Sequence, residues 1–462
     1  MIVSTPHTDW INTAPVFYHE KTGKYATNPL EVVDFDRFEW DWEGLAHYMD
    51  YGYCVFTKTP IKHVRFLPPG TAQPQHGGIT APKTQLQEWF EALRTRTTPD
   101  EVLALLEAKI RRWREAHQDR SIVLPLSGGL DSRLLLYHLR GVSNLRTFTY
   151  GASLKQHQHE EVVRAQWLAA QEKVPWEQIE LREFPAYRRT WYDLFGFSTH
   201  AHGMYHMEFY KKIKARISAE ATKPPIVVSG FIGDIWAGSI YPEPIARPED
   251  LQRLGYTHGI CAESRFLQKP PVHFPVRDAF FEAQRPYLHD RRYLVLLTMQ
   301  NKVMLLRYLT QVPEAQGYET FAPYGDQELA LSMLNLPESE REGRVWQHRF
   351  LEHIGLSVER QQLPASTENY FNHQGVMHTP LEPLSVSLLR EVVRPSYVEQ
   401  INRNLLDSKA QRRSLWWYRH LRHTRFLRRF VRDRFIGNYF AYMTLYPLQE
   451  LIKARDAYLK KT

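Results

Sequence analysis

Cysteine is almost absent from this chain: only Cys54 and Cys261 occur in 462 residues, far apart and without a Cys-x-x-Cys spacing. That excludes a disulfide framework and argues against a cysteine zinc site or paired-thiol sulfur chemistry, and a reducing cytoplasm fits best. No apolar run is long enough to span a bilayer, and the opening MIVSTPHTDWIN has neither a basic region nor a sustained apolar stretch, so neither a signal peptide nor an anchor is expected. There is also no Gly-x-x-x-x-Gly-Lys-Ser/Thr, hence no lysine of the kind that serves γ-phosphate transfer. Acid is scarce in one region. Residues 411–435, QRRSLWWYRHLRHTRFLRRFVRDRF, carry nine arginines against Asp433 alone, within a chain of net charge +8. Trp417, Leu421, Leu427, Val431 and Phe435 recur near helical spacing there, which predicts a basic helix docked by its apolar stripe with solvated arginines opposite. Peripheral contact of that helix with a membrane surface is the other reading, and nucleic acid is not expected as the partner.

What is present is an ordinary soluble composition, 43% hydrophobic and 24% charged, with room for two or three domains. Residues 14–70 hold strand-like runs, PVFYHE, KYAT and YGYCVFTK, with a helix WEGLAHYMDY before the last, and residues 70–84 read as a linker. Residues 85–117 form one long helical pattern. The chain then alternates strand and helix: SIVLPL, SRLLLYHLR, LRTFTYG, HEEVVRAQWLAAQ and WEQIEL, which predicts an α/β fold with a parallel sheet flanked by helices. From Arg291 onward the pattern is mostly helical.

The most informative segment is SIVLPLSGGLDSR, residues 121–133, an apolar strand that runs into a turn opening a helix. Gly128 and Gly129 let the backbone approach an anion, the helix start supplies N–H groups, and Ser127 and Ser132 add hydroxyl donors. Asp131 is placed to hold a magnesium ion. A plain strand-to-helix turn is the alternative, but the arrangement suits binding and release of pyrophosphate. A second apolar strand, IVVSGFIGD, ends in a glycine-containing turn that carries Asp234, and two carboxylates across a pyrophosphate are what a hard cation needs.

With these segments in view, the chain resembles the asparagine synthetase-like enzymes. LAHYMDYGYCVFTKTPIKHVRFLPPG is similar to the junction that closes their glutaminase domain, LPLSGGLDSR to the PP-loop, VVSGFIGDIWAG to the second phosphate and metal loop, and YETFAPYGDQELALSMLNLP to the late motif usually written with Pro-Phe-Leu-Asp. The resemblance covers about residues 14–370 and implies a HUP-type PP-loop synthetase domain over 81–385, a truncated, β-rich remnant of an Ntn glutaminase over 1–80, and a basic helical region over 386–462. It implies ATP and Mg2+ as cofactors. Leu126, Thr149, Tyr150 and Gly151 would line adenine and ribose, Ser127, Gly128, Gly129, Asp131 and Ser132 the phosphates, with Ser229 and Gly230 on the second loop and Asp131 and Asp234 on the metal.

Against the family pattern, position 2 is Ile2 rather than cysteine, and only about seventy residues precede Pro69, so glutamine hydrolysis by this chain is not expected. A half-sheet remnant would leave an edge strand, which predicts pairing with a partner chain or a second copy. Phe231 stands where the family has the Glu or Tyr that helps deprotonate the nucleophile. No lysine occurs between Lys302 and Lys409, so the late-motif lysine has no counterpart, and Arg344, Arg349 and Arg360 are the available substitutes.

Two further sets are candidates. His202 and His206, with His200, lie close together in STHAHGMYH, either as polar histidines lining a pocket, as acid-base groups standing in for the missing base, or as a metal site. Glu319, just before the late motif, is expected to face the site. The function implied is an ATP-dependent, AMP-forming amide ligase that joins a small-molecule carboxylate to ammonia or an amine, by analogy a sugar acid of surface-polysaccharide synthesis. A PP-loop RNA-modifying enzyme and a nucleotide-binding partner subunit without ligase activity are the alternatives.

Overall fold

Ile122–Pro125 (β4) reads IVLP and Ile226–Val228 (β7) reads IVV, unbroken apolar runs of the kind that belong in strands covered on both faces. The computed structural model, which describes residues 7–71, 83–217, 223–255, 262–406, 416 and 434–461, places both at the centre of a five-stranded sheet of order β6-β5-β4-β7-β8. The other strands are Leu145–Thr149 (β5), Trp176–Gln178 (β6) and Glu319–Phe321 (β8). Every pairing is parallel, with Val123 opposite Arg146 on one side and Val227 on the other. The chain fills one side of β4 and then returns to fill the other, so a crevice opens at the carboxyl ends of β4 and β7, where the strand order reverses.

Helices cover the sheet. Leu130–Leu139 (α4) follows β4, Glu160–Gln171 (α5) follows β5, and Tyr205–Ile217 (α7) leads towards β7. The single helical pattern expected over residues 85–117 is two helices, Lys83–Ala92 (α2) and Pro99–Ala116 (α3). Pro99 and the Thr98–Glu101 capping box start a new helix, and proline cannot continue an old one. β8 is an addition to the mostly helical region after Arg291. It extends the sheet by pairing in parallel with β7, Glu319 to Phe321 opposite Ile226 to Val228.

Residues 7–71 carry a small antiparallel sheet, β2-β1-β3, from Phe17–His19 (β1), Tyr25–Ala26 (β2) and Val64–Phe66 (β3), beside the helix Trp42–Tyr51 (α1). The strand expected over YGYCVFTK is not one. Phe56 and Thr57 adopt positive φ of 54° and 59°, which breaks a ladder, and the apolar side chains there pack inward instead. The sheet's edges are two or three residues long, and the chain's own Lys58 bridges to Arg65 on β3, so the open edge that would call for a second chain is short and in part closed.

The last helix, Arg434–Leu459, is held to the rest along its middle: the Tyr48 hydroxyl on α1 donates to the Thr444 carbonyl at 3.0 Å, and the Ser385 N–H donates to Gln449 Oε1 at 2.6 Å. One continuous apolar core runs from Ile11 to Ile452. Among the described residues no helix is long and apolar enough to cross a membrane. The arginine-rich stretch 411–435, apart from Trp416 and its last two positions, lies outside the described residues, as do Cys261 and most of the linker.

Candidate functional site

The first loop leaves β4 at Pro125 and enters α4 with Gly129 as N-cap. No side chain caps that helix, so its first N–H groups are left without an intrahelical acceptor, the arrangement that receives an anion. Ser127 and Ser132 brace the turn: their hydroxyls are 3.0 Å apart, the Gly129 N–H donates to Ser127 Oγ at 3.1 Å, and the Ser132 hydroxyl lies 2.9 Å from the Ser127 and Gly129 carbonyls. The Gly128 N–H donates to Glu161 Oε2 at 2.6 Å, so a carboxylate from the first turn of α5 sits on a loop amide. At the end of β5 the Thr149 hydroxyl donates to the Leu126 carbonyl and accepts from Trp176 Nε1, tying three strands together just below the loop. Gly151 follows. A Cβ there would lie 2.1 Å from the Gln156 carbonyl, so only glycine fits the turn.

The second loop, Ser229 to Asp234, comes off β7 and packs directly on the first. Ser229 Oγ accepts from the Phe231 N–H at 3.2 Å, and its own N–H donates to the Phe321 carbonyl on β8 at 2.8 Å. Ile232, a β-branched residue, is held at φ 58°, a strained backbone position of the kind that clusters at functional sites. A Cβ on Gly233 would meet Tyr324 at 2.8 Å and the Asp131 carboxyl carbon at 2.9 Å. The absence of a side chain at Gly233 is therefore what lets the two loops touch. Phe231 is buried and offers no base.

Burial first, and then the charge of Asp234, push the Asp131 carboxyl up to about 7, against the pull of Gln347 and Arg344. Gln347 Nε2 donates to Asp131 Oδ1 at 2.9 Å, and Arg344 Nη1 stands 4.0 Å from Oδ2. The Tyr324 hydroxyl reaches the Asp131 carbonyl at 3.3 Å, while the indole of Trp236 donates to the Tyr324 carbonyl at 3.0 Å. Of the three arginines available near the late motif, only Arg344 faces the carboxylate pair. Arg349 pairs with Glu340, and Arg360 with Glu352. Among the described residues no group of three or more His, Cys, Asp or Glu is arranged to hold a metal. Two carboxylates remain, all hard oxygen, and that donor set fits Mg2+ when phosphate oxygens and water complete the shell.

A cavity of about 790 Å3 opens beside Leu126 and Ser127 and runs past Thr149 and Tyr150 to His202, His206, Tyr308 and Phe440. Its walls are largely aromatic. Burial pushes His202 down to about 4 and His206 down to about 3, so both imidazoles are neutral at pH 7. The Nδ1 atoms of both are buried without a hydrogen-bond partner. His200 is spent on structure: its Nδ1 accepts from the His202 N–H and caps the turn.

The structure thus brings Leu126 to Ser132, Thr149 to Gly151, Ser229, Gly230 and Asp234 around one crevice, with His202 and His206 along its aromatic side. Glu319 is not among them. It is the first residue of β8, at the amino-terminal end of the sheet, exposed and paired with Arg120 at 2.8 Å, because a parallel strand that ends at the crevice must begin on the far side. The sequence reading missed Gln347, Tyr324, Glu161 and Lys302. The last is a half-buried lysine pushed down by burial and held up by nearby Asp234. Residues 101–217, from α3 through α7, match the family model described as Asparagine synthase. No curated protein matches the chain.

Proposed function

We propose, from the match of residues 101–217 to the Asparagine synthase family model, that this chain is an AMP-forming ligase that adenylates a carboxylate and passes the acyl group to ammonia or an amine. The observation that carries this reading is the contact of the two loops, which sets Asp131 and Asp234 together at the carboxyl ends of adjacent parallel strands, above a helix start with open N–H groups. A γ-phosphate-transferring site has a lysine on its loop; this one has a paired acid and no lysine there.

In the first half-reaction an oxygen of the acid attacks the α-phosphorus and the bond to the pyrophosphate oxygen breaks. The N–H groups of α4 and the Ser127 and Ser132 hydroxyls stabilise the charge on the departing pyrophosphate. Mg2+ on Asp131 and Asp234 would supply further neutralisation of that charge. ATP's base would occupy the aromatic cavity beside Leu126, Thr149 and Tyr150. In the second half-reaction the amine nitrogen attacks the acyl carbon, AMP departs, and a proton leaves the nitrogen. With Phe231 in the place of a base, His206 or His202 takes that proton, each neutral and with a ring nitrogen that has no hydrogen-bond partner. Arg344 stands 4.0 Å from Asp131. Nitrogen arrives as free ammonia or an amine.

The test is pyrophosphate–ATP isotope exchange with magnesium, screened against pooled carboxylates including sugar acids, with Asp131→Ala beside the wild type. Exchange that depends on an acid and disappears in the variant supports the ligase. ATP binding without exchange in any pool favours the second reading, a nucleotide-binding partner subunit, which the buried Phe231 and the Glu161 carboxylate on the loop amide recommend.

A further inference from the structure

A second cavity lies just beyond the second loop. It holds about 930 Å3 and begins at Ser239, whose hydroxyl donates to Asp234 Oδ2 at 3.1 Å. Its wall on the helix Arg291–Leu306 is made by Thr298 and Lys302, four residues apart and therefore on one face. The Thr298 hydroxyl gives its proton to the Leu294 carbonyl at 2.7 Å, which leaves its oxygen as an acceptor. The charges around the remaining wall are already matched. Arg253 pairs with Asp250 at 3.1 Å and Glu243 at 3.3 Å, Arg247 lies 3.7 Å from Asp250, and Glu249 is held by Arg277 at 3.0 Å. Lys302 is different. Among the described residues it is the one cation of this cavity with neither an ion pair nor a hydrogen bond, and it stands next to Asp234.

A half-buried ammonium without a partner is a natural counter-charge for a ligand that supplies an anion. A single open cation calls for a single anionic group. The paired charges, hydroxyls and the Gln252 amide around it suit a body rich in hydroxyl or amide groups rather than a second anion or an alkyl chain. We propose that this cavity binds the acid substrate, a polar monocarboxylate, with Lys302 receiving its carboxylate beside Asp234. The acid would then reach the α-phosphorus from the Asp234 side while the nucleotide enters from the Leu126 side. The inference rests on the ligase reading for the reaction, but not for the binding.

Two measurements on the full chain test it. In the first, acylation of Lys302 by acetic anhydride is followed by peptide mass spectrometry in the presence of D-glucuronate, D-gluconate or L-lactate, with D-glucose as the uncharged control. The expected result is labelling slowed about threefold or more by at least one acid and not by glucose, with no change at exposed Lys62. No protection by any of the acids overturns the proposal, and so does equal protection by pyrophosphate alone, which would give Lys302 to the nucleotide. In the second, Lys302→Met and Lys302→Arg are compared in isotope exchange with the acid that supports it. Loss of a charged hydrogen bond predicts a KM for that acid raised about tenfold or more in Lys302→Met, partly restored in Lys302→Arg, with the KM for ATP unchanged. A rise in the KM for ATP instead overturns it. Labelling needs no turnover, so absent exchange with Lys302 protected counts against the ligase and not against the acid site.

Discussion

The Gln347 side-chain amide donates to Asp131 at 2.9 Å across 216 residues of sequence, from a fully buried position on the helix Val345–His353. That helix starts at Arg344, held in the left-handed region at φ 57°, so one turn of chain delivers both a neutral donor and a cation to the same carboxylate. A hydrogen bond to a charged group contributes about 1.5–3 kcal/mol. Gln347→Leu is therefore expected to weaken Mg-ATP binding roughly tenfold to a hundredfold, measured by calorimetric titration, while Gln347→Glu adds a like charge and weakens it further. Unchanged affinity in both variants would remove Gln347 from the site.

Asp131 gives the pH dependence. Its carboxyl titrates at about 7 in the folded chain, chiefly through burial and then through Asp234, against an ordinary value of 3.8. A raised folded pKa stabilises fully below the unfolded value, and the contribution is lost as pH rises through the folded one, here between about pH 4 and 7. Without metal, wild-type stability should fall across that window relative to Asp131→Asn, by a few kcal/mol in order of magnitude, as followed by urea unfolding. Mg2+ binding favours the carboxylate, so at pH 6 binding of Mg-ATP should release roughly one proton, read from calorimetry in buffers of different ionisation enthalpy.

Gly233 is the point at which the loops meet, and an added methyl has 2.8 Å to Tyr324 and 2.9 Å to the Asp131 carboxyl. Something must shift. Gly233→Ala should cost about 1–3 kcal/mol of stability and, by moving Asp131, at least about tenfold in nucleotide affinity. Gly325→Ala, with open space around its Cβ position, is the control that should leave nucleotide affinity intact in the same titration.

His206 separates the two half-reactions. The proton it is assigned leaves only when the amine attacks, so His206→Phe should keep acid-dependent exchange while amide formation falls about a hundredfold, within the usual range for a general base. The same measurement on His202→Phe decides which imidazole serves. If exchange and amide formation fall together in both, the histidines shape the cavity and the base lies elsewhere.

How far the sequence reveals this site follows from how local each contribution is. The first loop is written in one stretch, because an apolar run, a Gly-Gly turn and a helix are all nearest-neighbour features, and the parallel sheet follows from their alternation. Asp234 is visible for the same reason. Gln347, Tyr324 and Lys302 are not: each comes from a segment whose polar residue looks like any other on a helix face or turn until the fold brings it to Asp131 or Asp234. Glu319 misleads because nearness in sequence to the late motif says nothing about which end of β8 it occupies. YGYCVFTK misleads because its β-forming residues carry two positive φ angles that composition does not announce.

Ile436 and Phe440, from the last helix, form part of the wall of the cavity that starts at Leu126. On the ribosome, then, a chain that has already made both loops and the entire five-stranded sheet still has an aromatic cavity open on one side. On the proposed reaction, the enclosure that would keep water from an acyl-adenylate comes into being only when residues beyond 440 have emerged and docked against α1. Closure of the cavity thus depends on the helix Arg434–Leu459 rather than on the segment that carries the motif.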